Sequence, residues 1–357
     1  MSLLVLSARD TFEATTRFSP DELVGLMAGV FAQLSSSDPG IVQPHRTAIS
    51  TENHTALFMP SRIASSGTTM KVVSVPAAGA PEDVRARGLP ASTIVMDEHG
   101  GHVRAIVNAR LLTALRNAAG SLLSARVLLP SNANPTSIVA IGAGAQIQAH
   151  VSLFLTAYPS IQTCAIFNRS KNARLQALCD RVRADFPTVQ ISTGILSPPD
   201  DHEGPTLRES IGQASIIVTA TSSTEPLFPS EYVRAGTHLC LIGSYKPEMH
   251  EIDTDLVRRA GKIVVDQKSA CLTEAGELIS ASCTESDLVE IGELLDIKGK
   301  SWTPRAGLVQ DVRQSGDITI FKSVGVGVQD VAIACAVVER AMKDGIGRPI
   351  EDYDEEL

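Results

Sequence analysis

The sequence predicts an α/β protein, a Rossmann-type doubly wound sheet accompanied by an α+β domain, and three observations carry that expectation. A rhythm of strand, glycine-rich turn, helix and strand begins at Ser137. The first 127 residues lack it and instead carry short β-branched or alternating runs bounded by Gly, Pro and Asn. Hydrophobic residues make up 43% of the chain but aromatics only 4%, with Trp302 the sole tryptophan. Ala, Val, Ile and Leu therefore form the core, as buried parallel strands covered by helices require. A length of 357 residues suits two domains.

In chain order, Leu3–Ser7 reads as a strand, and Ser19-Pro-Asp-Glu opens a helix with Ser19 as N-cap, Pro20 at N1 and Glu22 at N3. Leu57–Met59, Thr69–Val75, Thr93–Asp97 and Val103–Asn108 fit an antiparallel sheet, the last two joined by a hairpin turn at Asp97-Glu-His-Gly-Gly. Ala109–Val127, rich in Ala and Leu and free of Pro, is a long helix. Ile138–Ile141, a helix ending near Tyr158, and Thr163–Phe167 form the first βαβ unit. Buried strands follow at Ser215–Val218, His238–Ile242 and Lys262–Val265, with a surface loop expected at Ser197–Pro205. A strand at Ile318–Phe321 and a helix over Gln329–Met342 precede an acidic tail, Glu351–Leu357, expected to fray.

Charge and cysteine usage narrow the function classes. Lys and Arg number 31 against 40 Asp and Glu, a net charge of −9 that repels nucleic-acid phosphates and anionic lipid. The six cysteines are scattered without a C-x-x-C pair and read as reduced core residues. The apolar run Leu3–Leu6 is interrupted at once by Arg9 and Asp10, too short for a signal segment or a membrane span, so a soluble cytoplasmic protein is expected. The histidines show no metal-ligand spacing and no Ser-His-Asp order is evident, so no metal is expected.

Gly142-x-Gly144, followed by Ala145 and Gln146, stands directly after a strand and before a helix. Glycine there lets backbone approach a dinucleotide pyrophosphate, and the helix N-terminus offers free N–H groups. Ile147 occupies the third glycine position of the usual fingerprint. At the end of the second strand, Phe167-Asn168-Arg169-Ser170 replaces the acid that would bind a ribose 2′-hydroxyl. Arg169 is suited to a 2′-phosphate, favouring NADPH, with NADH as the other option, or is simply solvated at a helix start. Thr219, Ala220 and Thr221, and Gly243 and Ser244, end two further strands, as ligand contacts or as ordinary turn residues. Lys71 and Arg116 stand in apolar runs and, with Arg46, need anionic partners, either protein carboxylates or a substrate carboxylate.

Several segments together resemble the ornithine cyclodeaminase/mu-crystallin family: Leu57-Phe-Met-Pro60, Met70-Lys71-Val, Leu112-Thr-Ala-Leu-Arg116-Asn-Ala-Ala, Ile141-Gly-Ala-Gly-Ala-Gln146, Ile242-Gly-Ser-Tyr-Lys-Pro247 with Glu251-Ile-Asp253, and Phe321-Lys-Ser-Val-Gly325 with Gln329-Asp330. The resemblance implies a homodimer in which a Rossmann domain, about residues 128–321, is inserted between two parts of a substrate-binding and dimerisation domain, 1–127 and about 322–357. It implies that Arg46, Lys71 and Arg116 hold the carboxylate of an imino or amino acid, Lys71 and Arg116 acting in catalysis, and that Ser323 and Val324 approach the nicotinamide. Tyr245 and Leu57 stand where cyclodeaminases carry Asp and Glu, and an amine-deaminating reaction needs such carboxylates. The turn is similar to that of ketimine and pyrroline-2-carboxylate reductase-like members. NADPH-dependent reduction of a cyclic ketimine carboxylate to proline or pipecolate is the leading expectation. The alternatives are a cyclodeaminase or alanine dehydrogenase-like activity, or an NADPH-dependent binder of small carboxylates that performs no chemistry.

Overall fold

A computed structural model describes residues 2–77, 79–196, 206–299 and 301–354, so the expected loop at 197–205 lies outside the described residues. The chain divides into unit 1, Met1–Arg116 with Val326–Leu357, and unit 2, Asn117–Gly325, inserted between those two parts. These boundaries differ from the expected 127 and 322. Ser121 and Ser124 bond His150 and His238, and Ser323 bonds Asp266, so both segments belong to unit 2.

Unit 1 begins with β1 (Leu3–Leu6), α1 (Ala8–Thr15), α2 (Pro20–Ser35), β2 (Ile41–Val42), β3 (Thr47–Ser50), β4 (His54–Ile63), β5 (Gly67–Pro76), α3 (Glu82–Ala86), β6 (Ala91–Met96) and β7 (Val103–Asn108). α2 starts as expected: the Ser19 hydroxyl accepts from Glu22 N, and the Glu22 carboxylate accepts from Ser19 N. Such a reciprocal cap satisfies two helix-end donors. The hairpin turn also holds, with Asp97 N donating to His102 O and Gly101 N to Asp97 O.

One departure has a physical reason. β4 is longer than Leu57–Met59 and runs through Pro60. It pairs along its length with β5, while its other side meets β3 over Thr55–Phe58 and β2 over Arg62–Ile63. Pro60 falls in the gap between those partners, where its missing N–H is not needed. The four strands expected to form an antiparallel sheet do so, β4 with β5, β5 with β6 and β6 with β7, and β1 extends that sheet by pairing parallel with β7.

Helix α4 (Arg110–Leu128) leads into unit 2. There follow β8 (Ser137–Ile141), α5 (Ala145–Ala157), β9 (Thr163–Asn168), α6 (Ala173–Asp185), β10 (Gln190–Ile195), α7 (Leu207–Gln213), β11 (Ile216–Thr219), β12 (His238–Leu241), α8 (Thr254–Arg259), β13 (Ile263–Val265), α9 (Lys268–Glu274), α10 (Gly276–Ser280), β14 (Leu288–Glu290), the hairpin β15 (Leu295–Lys298) and β16 (Ser301–Pro304), α11 (Ala306–Gln314) and β17 (Thr319–Lys322). The sheet order is β10-β9-β8-β11-β12-β17-β13-β14, every pair parallel. Strand order reverses between β8 and β11, where ligands of such sheets bind. The chain then returns to unit 1 with α12 (Gly327–Asp344), which packs on β4 and β5, and β18 (Arg348–Ile350), which pairs with β1. In the tail, Glu351–Asp354 form an exposed turn.

The interior of unit 2 holds two histidines. Ser121 Oγ lies 2.9 Å from His150 Nε2, whose Nδ1 is 2.7 Å from Gln146 O. Ser124 Oγ lies 3.0 Å from His238 Nε2, and the other ring nitrogen is 2.8 Å from Thr319 Oγ1. Burial pushes His150 down from 6.5 to about 4 and His238 to about 3. The unfolded chain gains protons below about pH 6.5 that the folded chain refuses. Stability from these groups is therefore complete above pH 6.5 and is lost as pH falls towards 4, at up to about 2.7 kcal/mol per pH unit for two sites. Thermal melts should show a lower melting temperature at pH 5 than at pH 7.5. Equal values would contradict the neutral buried pair.

Candidate functional site

The glycine turn of unit 2 is shaped by close backbone packing. Gly142 has φ of 125°, and a Cβ there would lie 2.8 Å from Ala220 O and 3.1 Å from Ile147 Cγ1. Only glycine suits that position. Ile147 is fully buried at the third fingerprint position and packs against Gly142. Gly144, by contrast, faces open space. It is the N-cap of α5, which has no side-chain cap and no acid in its first turn. Uncapped N–H groups at the positive end of a 13-residue helix fit a dinucleotide pyrophosphate. Ala145 is exposed and Gln146 half-buried beside it. At the end of β9, Asn168 Nδ2 donates to Ser170 O at 2.9 Å, and Arg169 and Ser170 are exposed.

Two buried carboxylates hold the other strand ends of unit 2. Glu251 Oε1 accepts from Thr221 N at 2.7 Å and Thr221 Oγ1 at 2.9 Å; Oε2 accepts from Gly243 N at 2.7 Å and Thr219 Oγ1 at 2.8 Å. A Cβ at Gly243 would lie 2.1 Å from Thr221 O and 2.4 Å from Glu251 Oε1, so this approach also requires glycine. Burial pushes the Glu251 carboxyl up, opposed by the Lys322 charge and reinforced by Glu277. Lys322 Nζ lies 3.0 Å from Glu277 Oε1, both side chains fully buried. Asp266 Oδ2 accepts from Ser323 Oγ and Gly325 N, each at 2.7 Å.

Several hydroxyls at these strand ends already have partners within unit 2. Thr219, Ser244 and Ser323 are buried, and their hydroxyls are engaged inside unit 2, Ser244 with Met249 O and Gly276 N. Ala220, Thr221 and Val324 are only half-buried.

In unit 1 the cations find a protein carboxylate. Alternation along β5 buries Thr69 and Lys71 on one face, the face carrying Thr93 and Val95 of the adjacent β6. Lys71 Nζ donates to Asp330 Oδ2 at 2.9 Å, and Arg116 Nε donates to Asp330 Oδ1 at 3.3 Å. Arg116 Nη1 also donates to Gln329 Oε1 at 2.6 Å, while Gln329 Nε2 donates back to Arg116 O. All four side chains are buried. Asp330 sits in the first turn of α12, where the helix dipole favours an anion. Burial raises its carboxyl pKa, but Lys71 and Arg116 outweigh that and hold it below the ordinary value. Burial pushes the Lys71 ammonium down, against the attraction of Asp330 and with help from the charges of Arg116 and Arg46. Arg46 itself is exposed and acts on Lys71 through its field.

Sequence reasoning named Glu251, Lys322 and Gln329-Asp330 only as parts of a pattern and gave them no role, and it passed over Asp266 and Glu277. A signal was available at Lys71 and Arg116: buried cations demand an anion, and none lies near in sequence.

A parallel sheet of this order, reversing beside an open glycine turn, defines a Rossmann-type class of α/β protein. The chain belongs to the ornithine cyclodeaminase/mu-crystallin family, whose model matches residues 5–345. It is 30% identical over 305 residues to a Delta(1)-pyrroline-2-carboxylate reductase of Bacillus cereus, covering 84% of this chain and 86% of the relative. It is 26% identical over 305 residues to the ketimine reductase mu-crystallin of Mus musculus, covering 85% and 86%. The fold matches that of Thermococcus litoralis Delta(1)-pyrroline-2-carboxylate reductase in complex with NADH and L-proline, with a TM-score of 0.78 at 24% identity over 97% of this chain and 99% of that one.

Asp330→Asn leaves two buried cations without their shared anion, and should cost about 3–5 kcal/mol in a denaturant titration. Adding Lys71→Met should recover part of the loss. An Asp330→Asn protein as stable as the parent would show that the cluster is not held together by this charge.

Proposed function

We propose that this protein is an NAD(P)H-dependent reductase of cyclic ketimine carboxylates, Δ1-pyrroline-2-carboxylate or Δ1-piperideine-2-carboxylate, giving L-proline or L-pipecolate. Its class, an oxidoreductase acting on carbon–nitrogen bonds, follows from the reductase relatives that match it along most of its length. We assign dinucleotide binding to unit 2 and substrate binding to unit 1.

The observation that carries the reading is Lys71. It is a buried ammonium with a lowered pKa, held by one carboxylate oxygen 2.9 Å away. Such a group is a better acid than an ordinary lysine and suits the delivery of a proton to a ring nitrogen. Arg116 is held in a fixed orientation by Asp330 and Gln329, suited to a two-point grip on the substrate carboxylate, with Arg46 adding positive field. A reduced nicotinamide, when bound, would supply the hydride for the ring carbon, and Lys71 would supply the proton that the ring nitrogen takes up. Gly142, Gly144, Ala145 and Gln146 are assigned to the pyrophosphate; Asn168, Arg169 and Ser170 to the adenosine end; and the turns at 219–221, 243–244 and 323–324 to the nicotinamide end. Tyr245 is half-buried and Leu57 lies within β4, so neither place supplies the carboxylate that a deaminating reaction needs.

The test is NADPH absorbance decay with each ketimine, run beside ammonia release from L-ornithine with NAD+. Ketimine reduction is expected. Ammonia release without it would reject the assignment, and cofactor binding without turnover would make the protein a binder. Arg169→Ala should weaken NADPH by roughly 1.5–3 kcal/mol and leave NADH nearly unchanged, as loss of a charged hydrogen bond to the 2′-phosphate requires. Equal losses would remove the NADPH preference.

We also assign a twofold homodimer to unit 1. Its edge strand β3 is exposed at all four positions, with Ile49 53% exposed, and Phe12 is 58% exposed. Edges and apolar surface of this kind are ordinarily covered. Light scattering at micromolar concentration should give twice the chain mass; a monomer would refute it. The cysteines are all free thiols, which suits a reducing, cytoplasmic setting.

A further inference from the structure

Glu251 is fully buried, yet both oxygens of its carboxylate are spent on the two turns that end β11 and β12. Each oxygen takes one backbone N–H and one threonine hydroxyl. Both threonine hydroxyls donate to it, so both hydroxyl protons are committed to the Glu251 oxygens. The consequence differs at the two threonines. Thr219 is fully buried, and its hydroxyl serves as an anchor. Thr221 is only half-buried, and beyond its bond to Glu251 its oxygen takes a long contact from Ser223 N at 3.3 Å. A hydroxyl oxygen has two lone pairs, so one remains for a ligand.

We propose that Glu251 is a positioning residue for the cofactor: by consuming the Thr221 proton it makes that hydroxyl an obligate acceptor, aimed at a hydrogen-bond donor on the nicotinamide half of the bound nucleotide. The donor is the carboxamide N–H or a hydroxyl of the nicotinamide ribose. Two further features support the assignment. Gly243 is packed so closely against Thr221 and Glu251 that a Cβ there would overlap both, and its N–H bonds Glu251. Thr221 also follows β11 by two residues, beside the reversal of strand order where nucleotides bind. The inference rests on the reading that unit 2 binds NAD(P)H.

The experiment is a fluorescence titration of NADPH with four proteins: the parent, Thr221→Val, Thr221→Ser and Glu251→Gln. Thr221→Val keeps the shape and the backbone bond to Glu251 but loses the hydroxyl. It should raise the dissociation constant about fivefold with little change in melting temperature, and Thr221→Ser should restore it. Glu251→Gln presents an N–H₂ to fixed backbone donors and should raise it further. If Glu251 acts through Thr221, the double variant Thr221→Val with Glu251→Gln will bind no worse than Glu251→Gln alone. A merely structural glutamate would give additive losses. Repeating the titration with a 2′-phospho-ADP-ribose capped by a methyl group in place of nicotinamide separates the two donors: a loss confined to NADPH identifies the carboxamide, and a loss with both identifies a ribose hydroxyl. If the parent binds neither NADPH nor NADH, the cofactor reading fails and this inference with it. If the parent binds and Thr221→Val binds equally well, this inference alone is overturned. That comparison stands even if Glu251→Gln does not fold.

Discussion

A cation inside packed apolar structure needs an anion within bonding distance, and that need governs how unit 1 is built. Alternation along β5 turns Lys71 inward, and α4 brings the Arg116 guanidinium to the same place. An isolated charge at either position is costly enough to unmake the packing. Asp330 resolves both at once by giving one oxygen to each cation, and its place in the first turn of α12 adds the helix dipole to the balance. The same helix is therefore both the cover of the sheet and the source of its counterion.

Unit 2 meets a related problem with the same chemistry. Where parallel strands stop, the next backbone N–H groups have no ladder partner, and burying them bare is unfavourable. Glu251 satisfies Thr221 N and Gly243 N, and Asp266 satisfies Gly325 N. A carboxylate offers about four acceptor sites, so each acid ties a hydroxyl to its turn as well. The strand ends are thus tied from beneath, while the N-terminus of α5, after the glycine turn, carries no side-chain cap. Binding to a surface already fixed in shape wastes little free energy on ordering it.

Local grammar was readable where it is self-contained. The capping box at Ser19, the hairpin at Asp97 and the first βαβ unit depend on neighbours a few residues away, and each stands where the sequence put it. What escaped depends on distant partners. Pro60 lies inside a strand only because β2 and β3 leave a gap beside it. The inward turn of Thr219 and Ser244 follows from Glu251 and from Met249 and Gly276, none of which a strand-end pattern indicates. The need for an anion near Lys71 was legible, but its identity was not, since Asp330 lies 259 positions away.

That separation bears on how the chain assembles. Unit 2 is continuous in sequence, so every one of its internal partners has been synthesised once residue 325 has left the ribosome. Unit 1 is not: at that moment its sheet still lacks β18, and Lys71 and Arg116 still lack their counterion. Closing a free loop of that length costs entropy that grows with the logarithm of its size. A folded unit 2 removes most of that cost, because its own contacts already fix the distance between its two ends. An inserted unit that folds first is thereby an internal clasp for the two halves that flank it.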